Sequence, residues 1–154
     1  MSTRSRIAYL ENDGTIHSVY CHCDGYLSHN GIILEHYYKN FNKVKELISL
    51  GDISSLGITT EYRTDSEDVW DDKNFEDGFF IRTRDYNRWR NEGTKEMVFN
   101  SIYDYLHYDC DCMEEYLYLY IPFKGGMNGM WFVITAEYNL YSVEYALKKE
   151  GIIG

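Results

Sequence analysis

The stretch Tyr116-Leu117-Tyr118-Leu119-Tyr120-Ile121 alternates tyrosine with leucine or isoleucine without a break. Period two is the spacing of a pleated strand, whose successive side chains leave on opposite faces, and a chain that carries such a segment has to supply a sheet for it. A strand over Met113–Phe123 is predicted, followed by a second strand-like run over Met130–Glu137. Lys124-Gly125-Gly126-Met127-Asn128-Gly129 joins them as a glycine-rich connection, which makes the pair a β-hairpin. Within it Gly125-Gly126-Met127-Asn128-Gly129 lacks the lysine and helix start of a phosphate-binding loop.

A second hairpin is predicted near the N-terminus, from Ile7–Glu11 and Ile16–Cys23. Asp13-Gly14 between them is a pair in which both central residues accept positive φ. In its second strand Ile16, Ser18, Tyr20 and His22 share one face and His17, Val19, Cys21 and Cys23 the other, and neither face is marked as the core side. Gly25–Gly31 reads as a loop. Ile33, Tyr37 and Phe41 recur at helical spacing, which predicts a helix over Gly31–Lys39. Asn42 can cap another helix bearing Val44, Leu47 and Ile48, stopped at Gly51, with Gly51–Gly57 as a turn. Short strands are expected at Ile58–Tyr62 and Phe79–Ile81, a helix at Thr94–His107, and a terminal helix capped by Ser142 and ending at Gly151. Two hairpins separated by helices describe an α+β fold, an antiparallel sheet with helices packed on one face.

The chain has 154 residues, 44% of them hydrophobic, so it can bury most of its apolar surface in one core, and a single domain over 1–154 is expected. Its aromatic excess is tyrosine, 16 against 7 Phe and 3 Trp, a residue that joins a large contact face to a polar tip. With 25 Asp and Glu against 15 Lys and Arg the formal net charge is −10. That field repels duplex nucleic acid and anionic membrane, and it suits a basic protein partner. No window approaches the ~20 apolar residues of a membrane span and Met1–Asp13 has no signal-like core, so a cytoplasmic location and reduced cysteines are expected.

Chemistry is densest at Tyr20-Cys21-His22-Cys23-Asp24-Gly25-Tyr26. Together with Ser2-Thr3-Arg4-Ser5, Leu34-Glu35-His36-Tyr37, Lys43-Val44 and the run Leu47–Gly57, this stretch resembles a group of small, uncharacterised proteins of phage and bacterial genomes. The likeness covers about the first third of the chain, is weak in the middle and returns in part over Tyr116–Val133. In that group an aromatic residue stands at the position of Cys23, and a proline often follows the Asp-Gly-Tyr triplet where this chain has Leu27. The resemblance implies a phage or mobile-element setting and no activity.

Cys21-His22-Cys23 and Cys110-Asp111-Cys112 hold all 4 cysteines. Four thiolates would satisfy zinc, but zinc-binding thiols are usually spaced so that a tight turn presents both sulfurs to one ion, and Cys-X-Cys in a strand does so awkwardly. The aromatic residue in place of Cys23 in the resembling group argues the same way, so no metal or other cofactor is expected. A thiol-dependent hydrolase would need Cys21 or Cys23 beside His22, His29 or His36, with Asp24 orienting the imidazole. Adjacent strand residues point to opposite faces, so His36 is the partner to test for Cys21. Competing with this, Asp24-Gly25 is a common turn arrangement, in which the carboxylate bonds backbone amides and the glycine takes a conformation a β-carbon disfavours.

Asp65, Glu67, Asp68, Asp71, Asp72, Glu76 and Asp77 form an acidic run, opposed within it by Lys73 alone. It is expected to be an exposed loop. Beyond it Arg82, Arg84, Tyr86, Arg88 and Trp89 mix guanidinium groups with stacking faces, as a nucleotide or small-molecule binder would; the same arginines can simply neutralise the acids. The expected protein is therefore a small acidic binding protein without catalysis. Asp68, Asp71 and Asp72 would meet a basic surface on a host protein, and Trp70 would anchor the contact.

Overall fold

The computed structural model describes residues 3–64, 79–83, 96–134 and 139–152. The described strands form one mixed sheet: β1 (Ser5–Leu10), β2 (Ile16–Cys21), β3 (Ile53–Ser55), β4 (Tyr62–Thr64), β5 (Ile81–Thr83), β6 (Met97–Phe99), β7 (Tyr116–Pro122), β8 (Gly129–Ile134) and β9 (Leu140–Ser142). Across the sheet they run β4-β5-β3-β2-β1-β7-β8-β9. One edge of β2 is shared, its end pairing with β3 and its start with β6.

Both expected hairpins form. β1 and β2 pair antiparallel from Ser5↔Cys21 to Leu10↔Ile16, and β7 and β8 from Leu117↔Ile134 to Pro122↔Gly129. In the first turn the Gly14 amide donates to Glu11 C=O at 3.0 Å and the Glu11 amide to Thr15 C=O at 2.8 Å. Gly14 alone takes the left-handed backbone there, at φ 89°, so the loop is a tight turn closed by a glycine bulge and not a two-residue turn with both central φ positive. Asp13 keeps ordinary backbone and accepts from the Thr15 amide and hydroxyl at 2.9 and 2.6 Å.

The sheet is not purely antiparallel, as the sequence had suggested. β1 pairs parallel with β7, β2 with β3, and β4 with β5. The cause lies in the composition of the two central strands: parallel neighbours need cover on both faces and read as nearly continuous apolar runs. In β1 every residue from Ser5 to Tyr9 is buried, and in β7 every residue from Leu117 to Tyr120.

The helices accordingly lie on both faces rather than one. Among the described residues they are α1 (Ile32–Tyr37), α2 (Phe41–Ser49), α3 (Ile102–Leu106) and α4 (Val143–Lys149), with a π-helical turn over Leu27–Gly31 leading into α1. Ile33 and Leu34 of α1, Val44, Leu47 and Ile48 of α2, and Val143 and Leu147 of α4 pack on Ile7, Val19, Tyr118, Tyr120 and Val133. On the opposite face Tyr105 of α3 packs with Ala8, Ile16, Leu117 and Leu119. The β7 alternation thus sends tyrosine into the larger core and leucine into the smaller.

Several boundaries differ from expectation for local reasons. Thr94–His107 is not one helix: β6 hydrogen-bonds beside Ile16–Ser18, and Ser101, at φ −158° and ψ 168°, caps α3 by accepting from the Asp104 amide at 3.1 Å. An extended cap residue ends the helix backwards. Asn40 rather than Asn42 caps α2, and Gly51–Gly57 contains β3 instead of being a turn throughout. Ser142 caps α4 as expected, accepting from the Tyr145 amide at 3.1 Å.

Arg6 on β1 is 2% exposed and carries its charge into the smaller face. Its Nε donates to Glu114 Oε2 at 2.8 Å and its Nη1 to Ser18 Oγ at 3.1 Å. Ser18 Oγ donates on to Met97 C=O at 2.9 Å, and Glu114 Oε1 accepts from the Cys112 amide at 3.0 Å. Burial alone would lower the Arg6 pKa, yet the bond to Glu114 and the fields of Tyr108, Glu114 and Tyr105 leave it raised. Removing one member of a buried pair strands the other charge, typically at a cost of 3–5 kcal/mol. Glu114→Ala should therefore lower unfolding free energy by about 3–5 kcal/mol in urea titrations. The double variant Arg6→Met/Glu114→Leu should recover much of that loss, and equal stability of Glu114→Ala and the parent would show that the pair holds nothing together.

Candidate functional site

The Tyr20–Tyr26 stretch closes the end of β2 against the π-helical turn, and its polar groups are taken up by the fold. Cys21 is fully buried. Its thiol donates to Cys23 C=O at 3.4 Å and receives the Asn30 side-chain amide at 3.4 Å, and burial pushes its pKa up to about 11 despite the bond from Asn30. Asn30, itself fully buried, also donates to Ser5 Oγ at 3.2 Å, and its carbonyl faces His29 Nδ1 at 2.9 Å. His22 Nδ1 meets Tyr20 OH at 2.8 Å, and His36 stands exposed on α1. The structure does not bring Cys21 together with a histidine nitrogen, and a neutral, enclosed thiol is a poor nucleophile.

Asp24 and Gly25 exchange the roles expected of them. Asp24 itself occupies left-handed backbone at φ 58°, a conformation aspartate tolerates better than most residues, and its carboxylate accepts from Tyr26 OH at 3.3 Å rather than from the amides of its turn. Gly25 is needed for close approach instead. A β-carbon there would lie 2.7 Å from Ser5 Cβ, while the Gly25 amide donates to Thr3 C=O at 2.8 Å and its carbonyl accepts from Tyr118 OH at 2.6 Å.

Of the arginine group, Arg82 lies on β5, in register with Arg63 of β4 and Ser55 of β3. Arg84, Tyr86, Arg88 and Trp89 lie outside the described residues, as do Asp68, Trp70, Asp71 and Asp72. Among the described residues no group of three or more His, Cys, Asp and Glu is placed to hold a metal ion, and none of the described helices is long and apolar enough to cross a membrane.

Concave surface occurs elsewhere, where α4 meets the ends of β7, β8 and β9. A cleft of about 440 Å³ opens there, lined by Tyr116, Tyr141 and Tyr145 together with the apolar side chains of Leu27, Val133, Ile134 and Ala146, and by the exposed Glu115, Glu150 and Lys149. Tyr141, on β9, and Tyr145, one helical turn beyond the Ser142 cap, stack at 5.5 Å between ring centroids with 22° between planes. Lys149 Nζ sits 5.9 Å from the Tyr141 centroid. The Tyr116 hydroxyl is pushed up by burial and by the negative fields of Glu150 and Glu115. Sequence inspection missed this site, although Tyr141, Tyr145 and Lys149 recur at steps of four and so mark one stripe along the start and outer side of α4.

Compared with known proteins, the chain matches no family model, no curated protein and no solved structure at a significant level.

Two outcomes are expected at the Tyr20–Tyr26 stretch. In timed alkylation read by mass spectrometry Cys112, which is exposed, should label first and Cys21 only when the protein unfolds; equal rates in the folded protein would restore Cys21 as a nucleophile. Gly25→Val should lower stability by roughly 1–3 kcal/mol through the clash with Ser5, and an unchanged denaturation midpoint would mean that β1 and the turn are not in contact.

Proposed function

We propose that this chain is a small acidic, non-enzymatic binding protein of phage or mobile-element type, which inhibits a host protein of defence or nucleic-acid handling by occupying a basic surface on it. The observation that carries the proposal is a tyrosine-studded exterior on an acidic chain. Six tyrosines, Tyr26, Tyr37, Tyr62, Tyr103, Tyr141 and Tyr145, are at least 37% exposed, and the formal net charge is −10. Tyrosine is enriched at binding hot spots because it supplies contact area with few rotors and a hydroxyl for the rim. The negative field adds speed and orientation to the encounter with a basic patch. The taken-up groups of the Tyr20–Tyr26 stretch support a binding role over catalysis from that stretch, and the resemblance of the first third of the chain to phage and bacterial proteins supports the setting.

The acidic run supplies the test. Asp68→Asn, Asp71→Asn and Asp72→Asn combined should slow association with the partner isolated from host lysate, measured by biolayer interferometry. The difference should shrink as salt rises from 0.1 to 1 M, over which the Debye length falls from ~10 to ~3 Å. The melting temperature should stay nearly constant, since like charges on the exposed loop expected for this run would add little to folding. Trp70→Ala should chiefly raise the dissociation rate. A triple variant that associates as fast as the parent at low salt would remove the run from the interface.

A further inference from the structure

We infer that the cleft between α4 and the ends of β7 and β9 receives an arginine side chain of the protein partner, with the guanidinium stacked on the tyrosine rings and directed at Glu115 and Glu150. The inference rests on the docking role proposed above and names the contact that one part of the surface makes. Three observations lead to it. Three rings, Tyr116, Tyr141 and Tyr145, stand in the lining beside the aliphatic Leu27, Val133 and Ile134, and tyrosine faces attract cations. Glu115 and Glu150 at the rim form no ion pair with a cation among the described residues, and both bring negative field to the Tyr116 hydroxyl. The chain also already places a cation of its own against this wall: Lys149 Nζ stands over Tyr141 at 5.9 Å, the outer limit of a useful cation–π distance.

Arginine fits better than lysine for a geometric reason. A guanidinium is flat, so it can lie on a tyrosine face and still present its edge donors to carboxylates, whereas an ammonium is a strongly hydrated point charge. Tyr141 and Tyr145 are near parallel, with 22° between planes, and continue as a flat-sided stack to which a planar cation can add. At about 440 Å³ the cleft has room for the aliphatic stem as well. Lys149 then acts as a placeholder: it opposes an incoming cation by charge and yields the ring face when the arginine enters.

N-acetylarginine amide and its uncharged isostere N-acetylcitrulline amide separate this contact from general stickiness. Titrated into the full chain and followed by NMR, the arginine amide should shift the ring signals of Tyr116, Tyr141 and Tyr145 saturably and bind roughly tenfold more tightly than the citrulline amide. Glu115→Gln/Glu150→Gln, both at exposed positions, should weaken it roughly five- to tenfold. Lys149→Gln should tighten it roughly threefold, a sign that a merely structural role for Lys149 would not give. Equal binding of the two amides, or tighter binding by the glutamine double variant, overturns the assignment. Salt-sensitive partner binding that is unchanged in Tyr145→Ala removes the cleft from the interface while leaving the docking role intact. Arginine binding by the cleft in a chain that captures no basic partner supports the cleft and overturns the docking role.

Discussion

The parallel pairing of β1 with β7 commits the chain to burying both faces of its sheet, and the Arg6–Glu114 ion pair fastens the smaller of the two. Arg6 points out of β1 on the side where, among the described residues, α3, β6 and the segment leading to β7 supply the cover. A guanidinium there must be met in full, and it is met by Glu114 at 2.8 Å and Ser18 at 3.1 Å. Those bonds continue into Met97 of β6 and the Cys112 amide. One buried charge thereby ties β1, β2, β6 and the approach to β7 into one network, whose members stabilise each other only while all are present. Cys110 and Met113 both hold left-handed backbone, at φ 55° and 63°, and the Met113 amide closes back on Cys110 C=O at 2.8 Å. The tight path of this segment is the conformation that delivers Glu114 to Arg6.

On the larger face tyrosine hydroxyls perform the corresponding task. Tyr38 OH donates to Gly57 C=O at 2.8 Å, Tyr118 OH to Gly25 C=O at 2.6 Å and Tyr120 OH to Lys39 C=O at 2.7 Å. Each acceptor belongs to a connection rather than a ladder, so its carbonyl would otherwise be costly to cover. Trp131 Nε1 does the same for Tyr38 C=O at 2.8 Å. Burial pushes the hydroxyls of Tyr38 and Tyr118 up in pKa, keeping them protonated as donors. Much of the tyrosine surplus is therefore structural: the rings fill the core and their tips fasten the loops. The tyrosines left exposed, such as Tyr103, Tyr141 and Tyr145, are the ones whose hydroxyls fasten no connection of this kind.

What the sequence revealed followed from signals confined to a few neighbouring residues. Both hairpins were legible because Asp13-Gly14 and the Lys124–Gly129 run sit between apolar strands, and the caps of the last helix and the stop at Gly51 were legible for the same reason. The parallel pairs were not, because nothing in Ser5–Leu10 names Tyr116–Pro122 as its neighbour. Period two in β7 showed a strand, and only the apolar character of both its faces hinted that it would be covered on both sides. β6 was misassigned because Val98, Ile102 and Tyr105 mimic a helical stripe across Ser101, whose extended backbone breaks it. The ambiguity over the faces of β2 has a plain origin: Val19 and Cys21 enter one core and Ile16 the other, so the sequence showed no polar side because there is none.

The site was hardest to read for a related reason. Cys21, His22, Cys23 and Asp24 drew attention by their chemistry, yet a residue's chemistry is available to a ligand only if the fold leaves it unused. Here Asn30 and the Cys23 carbonyl consume the thiol, and the backbone strain at Asp24 (φ 58°) serves to bring Gly25 under Tyr118 and against Ser5. The cleft arises from the opposite circumstance. Tyr116 comes from the start of a central strand, and Tyr141 and Tyr145 from either side of a helix cap. None of them is unusual by itself; the cleft exists because β9 delivers the chain to α4 at the open end of β7. Binding surface in this protein is thus a by-product of where strands end, while its densest chemistry lies where a strand had to be closed.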